Sequence, residues 1–424
     1  MSETKDLSQN NFVSGAQHLF NKVPEITLWF WFIKVMCTTV GETAADFLNV
    51  NLNFGLTGTS IVTGVLLAVA LFFQFRAKKY VPIKYWLTVL FISVFGTLVT
   101  DNLTDKIGVP LETSTIVFSI LLAATFLVWY YYEKTLSIHS IFTMKREAFY
   151  WLSILFTFAL GTAAGDLMAE GLGMGYAVTG FIIAGLIAIF AVGWKLKLNH
   201  VLSFWLIYIL TRPLGASLGD SLSQPHKYGG LGLGATVTSF IFVGGILAIV
   251  AYLSITKKDV IEKEPKAQIQ EEIKEDTSRG GLWQTGVVVS LLVIAGLFGY
   301  HIRQGQLQAP AVNATNTQSS STTGTSTPAA QLSKLGDLSN FTTIAQDMLN
   351  FVIANNMSGA NTSANDLEYQ WDNAEARLKP KDPAKWTQVD GAIDKVLREV
   401  RAVNPNQQTA KSALENLLNV LNSQ

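Results

Sequence analysis

Four stretches decide the fold: WFIKVMCTTVGETAADFL (Trp31–Leu48), WLTVLFISVFGTLVTDNL (Trp86–Leu103), WLSILFTFALGTAAGDLM (Trp151–Met168) and WLIYILTRPLGASLGDSL (Trp205–Leu222). They align without gaps. Each opens on Trp, reaches Gly ten residues on and Asp five residues after that. The glycines are Gly41, Gly96, Gly161 and Gly215; the aspartates are Asp46, Asp101, Asp166 and Asp220. A looser block follows in each copy: Val62-Thr63-Gly64, Val117-Phe118-Ser119, Val178-Thr179-Gly180 and Val237-Thr238-Ser239. A period of this kind marks a structural unit used repeatedly.

The surrounding composition says what the unit is. Of 424 residues, 49% are hydrophobic and only 15% charged, well under the roughly 25% charge of soluble chains. The charge is concentrated outside residues 26–256, so neither a single soluble domain nor a disordered chain fits. About 20 apolar residues cross a bilayer as a helix. Such segments lie near 26–48, 56–75, 85–104, 114–132, 149–169, 175–194, 201–222 and 234–256, with a ninth near 283–301. Each repeat is then a two-span hairpin, the four covering about 26–75, 85–132, 149–194 and 201–256. Two spans per unit give every copy one orientation, so the copies are parallel and related by an axis along the membrane normal. The polar N-terminal stretch Met1–Lys22 lacks a signal-peptide pattern, so the first span is expected to be retained. Connections after spans two, four and six hold nine Lys or Arg, against two (Lys106 and Lys227) after spans one, three, five and seven. That bias predicts a cytoplasmic N-terminus.

Beyond the repeats, residues 257–282 mix six basic with seven acidic side chains between Lys257 and Arg279 and read as a charged cytoplasmic connector. Span nine, Trp283 to His301, would export the rest. Residues 302–335 form a flexible Ser/Thr/Gln/Ala linker. Residues 336–424 show helical periodicity: Val389, Ile393, Val396, Leu397 and Val400 share one face, as do Leu414, Leu417, Leu418 and Leu421. Asp382-Pro383 reads as an N-cap and first-turn proline. An extracytoplasmic bundle of three or four helices is expected. The fold class is thus all-α: a polytopic eight-span body (1–256), a ninth span and a small outer bundle.

The segments KVPEITLWFW, TVGETAADFLN, TLVTDNLTD, GTAAGDLMAE and RPLGASLGD carry a specific resemblance. The chain resembles the bacterial membrane-anchored proteins with four tandem two-helix repeats, each holding a Trp, known as the DUF347 repeat family, over roughly residues 22–258. The resemblance implies the architecture and a multi-pass protein of the bacterial inner membrane. It implies no chemistry.

Chemistry must be read from the aspartates. Fifteen residues from Trp to Asp rise about 22 Å. Trp31, Trp86, Trp151 and Trp205, with Gly41, Gly96, Gly161 and Gly215, are read as the residues that pack the repeats; with each Trp at the inner interface, where aromatic belts form, each Asp reaches one common depth toward the outer leaflet. A charged residue at membrane depth costs at least ~2.5 kcal/mol. Glu42 precedes Asp46 by four residues, while Asp105 and Glu170 follow Asp101 and Asp166 by four, on the same helical faces. Gln224 and Val50 break the pattern in the fourth and first repeats. A carboxylate ring facing a cavity would select cations, and hard cations take oxygen ligands, so Asp46, Asp101, Asp166 and Asp220 are candidate metal ligands. The alternative is structural: an Asp near a turn can accept backbone N–H groups and cap the hairpin. Two cations interrupt the pattern. Lys34 reads as a residue snorkelling to the inner interface. Arg212 is too deep for that, and beside Pro213 it suggests a broken helix and an ion pair with Glu42 or Asp46. Thr63, Thr179 and Thr238 fit either a pore lining or helix packing.

Net charge is zero and shows no basic footprint for nucleic acid. One cysteine, Cys37, excludes a disulfide framework and paired-cysteine zinc sites. No nucleophile–base motif marks an enzyme. The expected function is a transporter or channel for a small cation, with a divalent metal and proton coupling both compatible, and a bound cation as the conceivable cofactor. The runner-up is a non-transporting membrane-anchored sensor or scaffold that presents residues 336–424 to an extracytoplasmic protein or ligand. Partners are therefore the bilayer and a cation or proton.

Overall fold

The computed structural model describes residues 21–52, 54–172, 174–224, 230–260, 283–284, 287, 335–379, 381–402 and 404–423. Among them the secondary structure is helical, without strands. The Trp-bearing helices are α1 (Leu28–Asp46), α3 (Pro82–Asp101), α5 (Met144–Asp166) and α7 (His200–Ser223). Their partners are α2 (Gly55–Phe75), α4 (Leu111–Glu133), α6 (Tyr176–Lys195) and α8 (Gly234–Thr256). Local chemistry sets the starts. Thr27 caps α1 and Thr143 caps α5, each accepting a bond from the backbone N–H three residues on, while Pro82 opens α3.

The inner helices close a ring. α1 packs on α3, α3 on α5, α5 on α7 and α7 on α1. Each outer helix lies chiefly against the inner helix of the next repeat: α2 on α3, α4 on α5, α6 on α7 and α8 on α1. Hairpins are therefore interlocked around the ring. The repeated glycine makes this possible. A Cβ on Gly41 would sit 2.0 Å from Ser93 Oγ; on Gly96, 2.6 Å from Phe158 Cβ; on Gly161, 2.6 Å from Arg212 Cβ; on Gly215, 1.9 Å from Thr38 Oγ1. Thr38, Ser93, Phe158 and Arg212 all stand seven residues after their Trp. All four interfaces thus share one register, and the fourth returns to the first repeat.

Polarity is inverted relative to a soluble bundle. Inner helices bury Thr43, Thr97 and Thr162, whose hydroxyls bond the carbonyls four residues back, which satisfies them without a partner helix. Outer helices present large apolar side chains outward, including Ile61, Phe181 and Phe240. Thr63, Thr179 and Thr238 are buried on the packing faces of those outer helices. Among the described residues, seven helices, α2 to α8, are long and apolar enough to cross a membrane. The expected eighth, α1, is not among them, because Lys34, Glu42, Asp46 and three threonines dilute its hydropathy. The expected ninth span, the charged connector and the linker fall almost wholly outside the described residues.

Trp86, Trp151 and Trp205 are buried, and Trp31 partly so, inside an aromatic cluster with Phe30, Tyr85, Tyr150 and Tyr208. Two expectations are corrected. Lys34 is 1% exposed and does not snorkel. α7 runs unbroken through Pro213, because that ring packs tightly on Gly161 and Gly165 of α5.

Residues 335–423 form a four-helix bundle: α9 (Ser339–Ile353), α10 (Met357–Leu378), α11 (Pro383–Arg401) and α12 (Gln407–Asn422). Trp371 stacks on Trp386 at 3.8 Å between centroids in its core. Asp382 caps α11, accepting from Lys385 N at 3.1 Å.

Alanine at Gly96 or Gly161 should overpack the ring and destabilise the chain by about 1–3 kcal/mol. Alanine at Gly185, where nothing lies within 4 Å, should be neutral or slightly stabilising. Thermal unfolding of the three variants in detergent checks this; equal effects at all three sites would contradict the ring.

Candidate functional site

Asp46, Asp101 and Asp166 end their inner helices, and a turn follows each. In repeats one to three that turn is π-helical: Phe47–Asn51, Asn102–Lys106 and Leu167–Gly171. Such widened turns recur at functional sites. In repeat four the α-helix continues past Asp220 to Ser223. At this end lies a cavity of about 680 Å³, room for on the order of 20 waters. Asp46, Asp101, Asp166 and Asp220 all line it, together with Glu42, Asp105 and Glu170. The structure therefore brings the four repeated carboxylates and their acidic neighbours to one chamber. It does not gather them tightly: among the described residues, no three His, Cys, Asp or Glu are placed to hold a metal ion.

The roof was not legible beforehand. The outer bundle sits on this end of the body, with α10 against the third π turn and α11 against the first and second. Among the described residues it adds Glu368, Asp372, Asp390 and Asp394 to the lining, which then holds eleven carboxylates and Arg401. The relevant signal was present as acidic pairs four apart, Glu368/Asp372 and Asp390/Asp394, on amphipathic helices. Arg401 ends α11 and forks onto Glu368, with Nη1 at 2.9 Å from Oε1 and Nη2 at 2.5 Å from Oε2, while Nη2 also donates to Asn365. Burial opposes its charge, but Glu368, Asp46 and Asp372 more than offset this and strengthen its hold on the proton. The Asp394 carboxyl is pushed up to about 6, chiefly by burial, with Glu368 adding and Arg398 and Arg401 opposing. Lys379 ties the roof to the body through Asp105 at 3.8 Å.

The floor is cationic. Arg212 is fully buried, and its Nη2 donates to Glu42 Oε2 at 2.6 Å and to Thr97 Oγ1 at 2.5 Å. Thr97 belongs to α3, diagonally across the ring from α7, so the guanidinium bridges the axis. Its Nε and Nη1 have no hydrogen-bond partner among the described residues. Lys34 also crosses. Its Nζ lies 3.7 Å from the Phe158 ring centroid on the opposite helix and 4.2 Å from that of Tyr208, a cation–π arrangement. Beneath them, Tyr85 and Tyr150 bond hydroxyl to hydroxyl at 2.5 Å. The far end is tied by a buried network that sequence reading missed: Glu147 accepts from Lys22 Nζ at 2.7 Å and from Gln74 Nε2 at 3.0 Å. Lys22 lies outside every apolar segment, which hid it.

A family model described as Repeat of Unknown Function (DUF347) matches residues 29–80, 84–135, 149–197 and 203–259. The chain belongs to the DUF347 repeat family. Each match contains one inner and one outer helix, so the DUF347 repeat is the hairpin of the ring. The bundle lies beyond all four matches. No curated protein and no solved structure matches the chain.

Removing one member of a buried ion pair strands the other. Arg212→Met should cost about 3 kcal/mol, the low end for such a loss because Glu42 opens to the wet chamber. Arg212→Met with Glu42→Gln should recover a good part of it. Unfolding measurements on the single and double variants check this; additive losses would contradict the pair.

Proposed function

We propose that this DUF347-repeat protein carries a small cation across a membrane, using the acidic chamber as its binding vestibule. The observation that carries the reading is the lining itself: among the described residues, eleven carboxylates and Arg401 surround one cavity, four of the carboxylates at equivalent positions in a closed ring. Carboxylates crowded around one cavity repel one another and attract cations. No tight coordination shell is present among the described residues, so the cation is proposed to enter with most of its water. The chemistry needs no enzyme activity.

In this reading all eight body helices span the bilayer. α1 does so despite its charges because they face the ring interior, where intramembrane charges belong. The shared register of the four glycine contacts supports parallel repeats about an axis along the membrane normal. The basic connections lie at the Trp end, which supports placing that end in the cytoplasm. The bundle would then be extracytoplasmic. α8 ends at the Trp end, where Asp259 O accepts from Glu25 N at 2.9 Å, whereas the bundle sits at the other end. The intervening chain must pass between the two ends, which supports a ninth span.

Arg212 and Lys34 bar the axis below the chamber. A cation moving on must wait for Arg212 to leave Glu42, so the path is gated, a carrier and not an open channel. The same barrier favours the second reading, a non-conducting sensor or scaffold in which the chamber only binds.

Flux of Na⁺, K⁺, Mg²⁺ and Mn²⁺ into proteoliposomes separates the two. Asp46→Asn, Asp101→Asn, Asp166→Asn and Asp220→Asn, made singly, should lower flux, at least two of them by about tenfold or more, the equivalent of about 1.4 kcal/mol. Unchanged flux in all four, or none in the parent chain, overturns transport.

A further inference from the structure

The axis below the chamber is built from polar levels one helical turn apart. Arg212 stands seven residues after its Trp, Lys34 and Tyr208 three after theirs, and Tyr85 and Tyr150 one before theirs. Because the repeats share one register, these are three successive levels, each four residues or about 6 Å of rise from the next. That is roughly the reach of two hydrogen bonds through a single water. All five side chains are at most 1% exposed.

Unmet hydrogen-bonding groups mark the gaps between these levels. Among the described residues, Arg212 Nε and Nη1, the Tyr208 hydroxyl and Trp86 Nε1 are buried without a hydrogen-bond partner. Buried groups of this kind are normally satisfied by internal water. Direct contacts supply the other steps. Lys34 Nζ lies over the Tyr208 ring, and the Tyr85 and Tyr150 hydroxyls bond each other. At the Trp end Tyr80 continues the series. Its ring centroid is 5.7 Å from that of Tyr85, and its hydroxyl donates to Asp259 Oδ2 at 2.5 Å. Asp259 is buried, and its Oδ1 also lacks a partner among the described residues.

We infer that this series is a proton relay: Lys34 takes up a proton arriving from the chamber and passes it through the hydroxyls of Tyr208, Tyr150, Tyr85 and Tyr80, with water at the gaps, to Asp259. The inference rests on the cation reading above and names the proton as an ion that crosses the barrier.

Each group suits its place. A guanidinium keeps its protons, so Arg212, paired with Glu42, carries none and holds water on its free N–H groups. An amine binds and releases a proton, which makes Lys34 the carrier. A hydroxyl accepts a proton at its oxygen while donating its own hydrogen onward, and turning the O–H resets it. Only O–H and N–H bonds are made and broken, and each proton taken up at one end is released at the other. Burial pushes the Asp259 carboxyl above its usual range, with the bond from Tyr80 opposing, so it exchanges protons nearer neutral pH. A metal ion must wait for Arg212 to leave Glu42. A proton need not, because it moves by exchange of hydrogen bonds. Loading and unloading Lys34 once per proton gives the relay a carrier's pace.

The test uses the full chain in liposomes that enclose a pH-sensitive dye, with a valinomycin-set potassium potential, interior negative, to drive proton entry. Vesicles with the parent chain should acidify several-fold faster than protein-free vesicles. Lys34→Met should abolish that gain. Lys34→Arg should abolish it too, since it keeps the charge but does not release a proton. Tyr208→Phe deletes only a hydroxyl that has no partner among the described residues. It should slow acidification several-fold and leave thermal unfolding in detergent unchanged or raised. Tyr131→Phe, at an exposed position on α4, should match the parent. Acidification no faster than in protein-free vesicles, or the parent rate in any of the Lys34 and Tyr208 variants, overturns the relay. Metal-ion flux without proton entry would refute the relay alone. Proton entry in a chain that moves none of the four metal ions would refute their carriage and leave the relay standing.

Discussion

Close approach of inner helices at one glycine per repeat is the constraint from which the structure follows. A methyl group at Gly41, Gly96, Gly161 or Gly215 would overlap its neighbour at 1.9 to 2.6 Å. The same contact occurs between each repeat and the next, and four such steps close a ring. Closure puts every residue five positions after the glycine at one level, and those residues are the aspartates. The acidic chamber is thus a consequence of helix packing repeated four times, with packing and chemistry written on the same helices.

Charge placement explains why such polar helices hold together. Thr43, Thr97 and Thr162 bond carbonyls of their own helices, and Lys34 and Arg212 reach across the ring. Arg212 crosses that axis to Glu42 and Thr97, which supplies a counter-charge where burial is deepest. Lys34 takes aromatic faces in place of an acid. Above this level, the charged groups that the described residues of the repeats bring to the lining are carboxylates. The molecule therefore separates charge along its axis, positive in the floor and negative in the vestibule. The broken symmetry matters as much as the symmetry: Lys34, Glu42 and Arg212 each occur in a single repeat, and together they make one asymmetric plug inside a nearly fourfold frame.

Local spacing made much of this legible. Trp, Gly and Asp at fixed intervals announced the repeat, and the register of the aspartates along the helix was enough to expect a common level. The Arg212–Glu42 pair could be named as a candidate because both residues break the pattern at neighbouring depths. What escaped was set by non-local contacts. Snorkelling is the ordinary fate of a lysine near an interface, yet Lys34 finds Phe158 and Tyr208, which periodicity along one helix cannot reveal. Pro213 marks a break only where its neighbours do not pin it, and Gly161 and Gly165 do. The seating of the bundle, with its acidic pairs over the chamber, joins segments more than a hundred residues apart, so local periodicity could not announce it.

Calorimetric titration of the purified full chain with Mn²⁺ and Ca²⁺ tests most directly whether the ring makes one cation-binding vestibule. The account predicts saturable binding of at least one of these ions, weakened at least tenfold when Asp101 and Asp220, diagonal members of the ring, are both changed to Asn. Absent heats for both ions, or affinities that the paired exchange leaves untouched, would contradict it.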